Sequence, residues 1–199
     1  MPETLEIQAF AYAELSPRAQ EKARDWWLSS HDPDNDWLEG EIETAANLLG
    51  IEIDKQGNRR AIYWRACYTQ SDGASFSGSY DYRKGALADI QSEYPKDEAL
   101  QAIARDLQEA QRKAFYSLSA KITSHRDTSI RVEVSDGRTR YGDATTEQEE
   151  AIKEAMRDFT NWIYHLVRDQ YDHETSEESI ADCMAANEYR FDERGRIIY

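Results

Sequence analysis

The segment "DPDNDWLEGEIE" (residues 32–43) places Asp32, Asp34, Asp36 and Glu43 at positions 1, 3, 5 and 12 of a calcium-binding loop. Such a loop turns sharply on a glycine at position 6, where this chain has Trp37, and Glu39 occupies the apolar position 8. The spacing therefore predicts a loop that enters an acidic first helical turn, which the helix dipole favours. His165, Asp169 and His173 fall at i, i+4 and i+8, on one side of a continuous helix, and their side chains suit an imidazole-seeking metal. Two His and one Asp fall short of a zinc set. The helix is expected to fray near Asp172, and His165 sits between the apolar Trp162 and Leu166. Cys67 lies on an aromatic segment and Cys183 beside Met184 and Ala185, with no nearby cation to lower a thiol pKa. No Gly-x-Ser-x-Gly elbow occurs. These observations predict a protein that is not an enzyme and needs no metal or cofactor.

The stretch "YTQSDGASFSGSYDYR" (68–83) has the glycines and hydroxyls of a phosphate cradle. A cradle leads from a strand into a helix N-terminus, usually with a Lys. Here the alternation continues through Phe76, Gly78, Tyr80 and Tyr82, so a β-hairpin turning at Asp72-Gly73 is expected. Gly78 within the second strand marks a bulge or a close approach of another backbone.

Around these segments, hydrophobic periodicity supplies the scaffold. Residues 4–12 and 61–70 alternate as strands, and 118–125 and 129–135 form a hairpin around "RDT". Ser16 caps a helix that begins on Pro17 and lines Ala19, Ala23, Trp26 and Trp27 along one side. Leu38, Ile42, Ala45 and Leu49 define a second helix, ended by Gly50. Further helices are expected over 96–116, 147–171 and 176–186, and a small hairpin closes the chain around Arg194-Gly195. Adjacent strand pairs separated by helices give an α+β fold, with an antiparallel sheet packed against several α-helices in a single domain over residues 1–199. Of the two neighbouring tryptophans, Trp26 and Trp27, burial of both is expected.

The chain of 199 residues carries a net charge of −15, and the layout of that charge bears on partners. Residues 1–60 hold 13 acids and 6 bases, residues 61–142 hold 11 and 12, and residues 143–199 hold 15 and 6. Such a chain repels nucleic acid and anionic membranes and favours a protein with a basic surface. On a helix Asp36, Glu39 and Glu43 form one exposed ridge, with Trp37 beside it as an apolar anchor. Glu147 and Glu150 head a second acidic run, and Glu174, Glu177 and Glu178 a third. Two cysteines without a Cys-x-x-Cys motif suit a reducing compartment. Neither a signal-peptide pattern nor a membrane-spanning apolar run is present, so a bacterial cytoplasmic location is expected.

"YWRACYTQSDGASFSGSY" (63–80), together with "LSPRAQEKARDWW", "RDFTNWIYHLVRDQYDHETSEESI" and "ANEYRFDERGR", resembles a family of small phage and prophage proteins. That family is built around a Tyr-Trp strand and a Gln-x-Asp-Gly-Ala-x-Phe turn, and some members carry an antitoxin label. An aromatic and His-rich hairpin is common in it, whereas this chain has "SHRDTSIRVEV" there. The resemblance implies a phage-encoded accessory protein acting in the host cytoplasm. With the charge layout it gives the expected function: binding and blocking a basic, nucleic-acid-handling defence complex of the host, in the manner of an anti-CRISPR protein that mimics nucleic-acid charge. The alternatives are an antitoxin that neutralises its toxin by contact, and a metal-dependent hydrolase or nuclease.

Overall fold

The computed structural model describes residues 8–30, 35–65, 72–125, 128–139 and 142–198. After a 3-10 turn at Tyr12–Glu14 come α1 (Pro17–Ser30), α2 (Asn35–Leu49), β1 (Ile51–Ile53), β2 (Lys55–Gln56) and β3 (Arg59–Arg60). Next are β4 (Ile62–Arg65), β5 (Gly73–Phe76), β6 (Gly78–Asp81), α3 (Ala86–Glu93) and α4 (Glu98–Lys113). The chain ends with β7 (Leu118–His125), β8 (Ser129–Asp136), α5 (Thr146–Glu174), α6 (Glu177–Ala186), β9 (Arg190–Phe191) and β10 (Ile197–Ile198). The architecture is α+β, as the alternation of patterns predicts. It divides into two compact units, one of Asp34–Arg168 and one of Met1–Pro33 with Asp169–Tyr199.

In the larger unit, β1, β6, β7 and β8 form an antiparallel sheet in the order β1-β6-β7-β8. Register places Ile51, Tyr80, Ala120 and Val134 in one cross-strand row, and Ile53, Gly78, Ile122 and Val132 in the next. These side chains form the apolar face of the sheet, while Glu52, Lys121 and Glu133 on the other face are exposed. Leu38, Ile42 and Leu49 of α2, Ile90 of α3, Leu100, Ile103 and Leu107 of α4, and Ile152, Met156 and Ile163 of α5 share this core. Phe159 packs edge-on to Phe76 and stacks on Trp162 at 5.6 Å. Asp97 links two helices: Oδ1 accepts from the Leu100 N–H at the start of α4, and Oδ2 accepts from Trp162 Nε1. The buried Gln111 bonds both backbone groups of Leu118 and donates to the Tyr80 hydroxyl, which leaves no polar atom of that amide stranded.

The expected β4–β5 hairpin forms, but its turn is elsewhere. Gly73 is a strand residue paired with Arg65, so residues 66–72 make the connection and Asp72-Gly73 is not a two-residue turn. Gly73 lies close to Thr128: a Cβ there would come within 3.2 Å of the Thr128 Cβ and carbonyl oxygen, a tight contact. The second strand also splits. At Ser77 the chain leaves the two-stranded β4–β5 ladder, and β6 joins the four-stranded sheet. Gly78 makes this step possible, because a Cβ would collide with the Glu52 carbonyl of β1. Helix α3 and strands β1 to β3 were not anticipated. Leu87 and Ile90 are too few to establish a helical repeat, the alternation of β1 is limited to Ile51-Glu52-Ile53, and the two-residue strands β2 and β3 carry none.

In the smaller unit, α1 packs Ala19, Ala23 and Trp27 with Ile180 and Met184 of α6 and Phe191 of β9. Trp27 is buried, and Trp26 packs edge-on against Tyr189 and Phe191. The predicted C-terminal hairpin is present, with Ile197 opposite Phe191. The strand expected over residues 4–12 lies partly outside the described residues. At Phe10 there is an isolated bridge to Phe191, followed by the 3-10 turn.

Candidate functional site: an acidic groove

Asp32 and Asp34 lie outside the described residues, as does Cys67. Asp36 is exposed in the first turn of α2, and Trp37 is 49% exposed. The exposed ridge expected to continue along α2 does not form. Arg60 of β3 reaches Glu43 at 2.7 Å and Glu39 at 3.3 Å, and Lys55 of β2 reaches Glu43 at 2.9 Å. The small β2–β3 hairpin thus lays two cations against this side of α2, and Glu39 and Glu43 are each only 22% exposed. Hydrogen bonds from Lys55 and Arg60 hold the Glu43 carboxyl below its usual pKa.

In the smaller unit, Glu177 is ion-paired with Arg24, Glu174 accepts from Gln170 Nε2, and Glu178 is exposed in the first turn of α6. On α5, Glu150 lies 3.6 Å from Lys153 and 3.9 Å from Arg157. Helix α5 continues through His173 rather than fraying at Asp172, and His165, Asp169 and His173 are all exposed. Among the described residues no group of three or more His, Cys, Asp or Glu side chains could hold a metal ion.

Two expected residues meet acids from other elements in a cavity: Glu43, which lines one with Glu52, Asp54 and Asp81 but is held by Lys55 and Arg60, and Glu147. Helix α4 buries Leu100, Ile103, Leu107 and Ala110 and so turns Asp106 and Glu109 outward. Helix α5 buries Ile152, Ala155 and Phe159 and turns Glu147 and Glu154 outward. The two outward edges border a groove of about 400 Å³ whose lining includes the small side chains of Ala110, Ala151 and Ala155. Four carboxylates, Asp106, Glu109, Glu147 and Glu154, line it with a single ammonium, Lys113. Lys113 is shared between Glu109 at 3.2 Å and Glu147 at 3.3 Å, which raises its pKa. One turn further along α5, the pKa of Asp158 is raised by partial burial and then by the charges of Glu154 and Asp106. Two residues beyond Lys113, Phe115 and Tyr116 have left-handed backbone (φ 53° and 64°) and are 76% and 48% exposed. Arg138, held by Asp136, lies 5.0 Å over the Phe115 ring. Two successive non-glycine residues in this conformation cost free energy. Here the strained turn displays apolar rings to solvent.

Asp106 and Glu109 were missed in the sequence because the middle of the chain is nearly neutral. The signal was present in their i, i+3 spacing on the polar side of a strongly amphipathic helix.

Fold and groove together define an α+β protein with a carboxylate-walled groove between two helices. The chain belongs to the family described as a domain of unknown function (DUF8835), whose sequence profile matches residues 36–177. That span takes in the four-stranded sheet, α4 and the groove-lining part of α5. No curated protein and no solved structure matches the chain significantly.

Proposed function

We propose that this protein is a phage-encoded, non-catalytic inhibitor that binds a basic host protein through the α4–α5 groove. The target class is a nucleic-acid-handling complex of bacterial defence, whose Lys and Arg side chains normally hold phosphates. The observation that carries this reading is the gathering of Asp106, Glu109, Glu147 and Glu154 along one groove with a floor of alanines, where Lys113 pairs with Glu109 and Glu147 and Arg157 pairs with Glu154 at 2.9 Å. Their mutual repulsion is relieved when cations of a partner enter, and Phe115 and Tyr116 supply the apolar contact that fixes such a partner in place. The mechanism is occupancy: the carboxylates take the place of phosphates on the target.

The test is capture from host lysate on the immobilised chain, compared with a variant carrying Asp106→Asn, Glu109→Gln, Glu147→Gln and Glu154→Gln. The expected result is a retained nucleic-acid-binding protein that is released as salt rises past about 0.3 M, where screening acts within a few ångströms. DNA or RNA should compete for it, and it should be lost from the four-site variant. A Phe115→Gly variant, which relieves the left-handed turn, should remain folded and yet retain less. Retention unchanged in the four-site variant would refute the groove as the contact. Recovery of a toxin encoded by a neighbouring gene would redirect the reading to neutralisation of that toxin.

A further inference from the structure

A second cavity in the larger unit has the opposite character. It measures about 410 Å³ and is lined by the end of β6, the start of α3, the middle of α4 and Leu49 of α2. That volume lies within the range of about 300–1,000 Å³ typical of small-molecule sites. In a chain of net charge −15, no Asp or Glu among the described residues lines it, whereas Arg83 and Lys84 do. Arg83 is partly engaged, donating to the Asn47 carbonyl and to Asp89. Lys84 is exposed and has no ion-pair partner among the described residues. The floor is apolar, with Leu49, Ala104 and Leu107 drawn from the core.

Two further features converge there. Tyr80 is 2% exposed and lines the cavity. Its hydroxyl oxygen accepts from Gln111 Nε2 at 3.2 Å, but its own proton meets no acceptor among the described residues. Burial pushes the Tyr80 pKa up to about 12, so the group remains a donor at neutral pH. Helix α3 begins on Gly85 with φ 88° and no side-chain cap; the Ala86 N–H donates to the Arg83 carbonyl at 3.4 Å, which leaves those of Leu87 and Ala88 open to an acceptor. Apolar floor, buried donor, unpaired ammonium and helix start call for a ligand with an apolar body and a negative head.

We propose that this cavity binds a small amphipathic organic anion. Its acid group sits at Lys84, Arg83 and the start of α3, its body lies over Leu87, Ala104 and Leu107, and the Tyr80 hydroxyl donates to a polar atom on it. The site is independent of the acidic groove.

The experiment titrates the full chain with 8-anilinonaphthalene-1-sulfonate, an aromatic sulfonate that fluoresces in apolar surroundings, and then displaces it with octanoate or octanol. Two variants change exposed rim residues only: Lys84→Glu reverses the cation, and Ala88→Trp fills the mouth. Circular dichroism confirms that both are folded. Saturable binding of one probe per chain is expected, weakened at least about tenfold in each variant. Octanoate should displace the probe far better than octanol. Absence of saturable binding, equal binding by wild type and both variants, or equal displacement by the alcohol would each overturn the proposal.

Discussion

Two sets of helical carboxylates in the larger unit share residue type and helical spacing but end in opposite states. Glu39 and Glu43 of α2 are 22% exposed and face Arg60 and Lys55, so their charge is spent inside the fold. Glu109, Glu147 and Glu154 of the groove are 59%, 79% and 66% exposed; the first two share Lys113, and Glu154 pairs with the exposed Arg157. An exposed pair of this kind is worth only about 0–1 kcal/mol, so a partner's cation can displace it readily. An acidic run on a helix therefore says little about availability. What decides is whether a neighbouring element presents cations against it, and the β2–β3 hairpin does so for α2.

The largest effect should come from neutralising each set in turn. The four-site groove variant should bind a Lys- and Arg-rich peptide about tenfold to a hundredfold more weakly at low salt, from several exposed pairs lost together. Its urea midpoint should hardly move. Replacing Glu39 and Glu43 by Gln should do the reverse, leaving peptide affinity as it was and lowering stability by about 1–2 kcal/mol, since Arg60 loses both partners. Fluorescence anisotropy and urea unfolding on the same preparations measure both quantities. If the α2 variant lost peptide affinity as heavily as the groove variant, the distinction between spent and available charge would collapse.

A smaller effect separates the sets by pH. The folded pKa of Glu43 lies below its unfolded value, so its contribution is complete above the unfolded pKa of about 4.3. The contribution is lost as pH falls from there through the folded pKa. Unfolding free energies measured between pH 6 and pH 3 should show a drop of up to about 1 kcal/mol in wild type that Glu43→Gln lacks. Equal slopes for the two proteins would mean that the Lys55 and Arg60 contacts add nothing in solution.

Legibility in the sequence follows the same division between local and non-local information. The limits of α2, the β7–β8 hairpin and the length of α5 are set within a few residues by Gly50, strict alternation and a sustained apolar stripe, and they were readable. The residues that fill the groove were half readable. Glu147 stood out in an acidic run, whereas Asp106 and Glu109 were hidden by basic neighbours such as Arg105 and Arg112, which are close in sequence but do not line the groove. The fate of Glu39 and Glu43 could not be read at all, because it depends on Arg60, 17 residues from Glu43, folding back across α2. Likewise Asp72-Gly73 carries a strong local turn signal, and the strand pairing of Arg65 with Gly73 overrides it.

Asp158 gives the smallest and most discriminating test, because its sign is opposite to that of Glu43. Partial burial, then Glu154 four residues before it and Asp106 across the groove, raise its folded pKa above the unfolded value. The folded state therefore holds this proton more tightly, so ionised Asp158 costs stability at neutral pH. That cost is relieved as pH falls through the folded pKa toward the unfolded value of about 3.9. Asp158→Asn should stabilise the protein at pH 7 by about 0.2–0.5 kcal/mol at low salt, the scale of a like-charge pair one helical turn apart. The part of that gain due to Glu154 and Asp106 should shrink as salt screens them, while the part due to burial should persist. Urea unfolding of wild type and variant at low and at about 1 M salt separates the two. A gain that does not change with salt would mean that the groove carboxylates do not repel one another, and the field proposed to draw in a basic partner would then be absent.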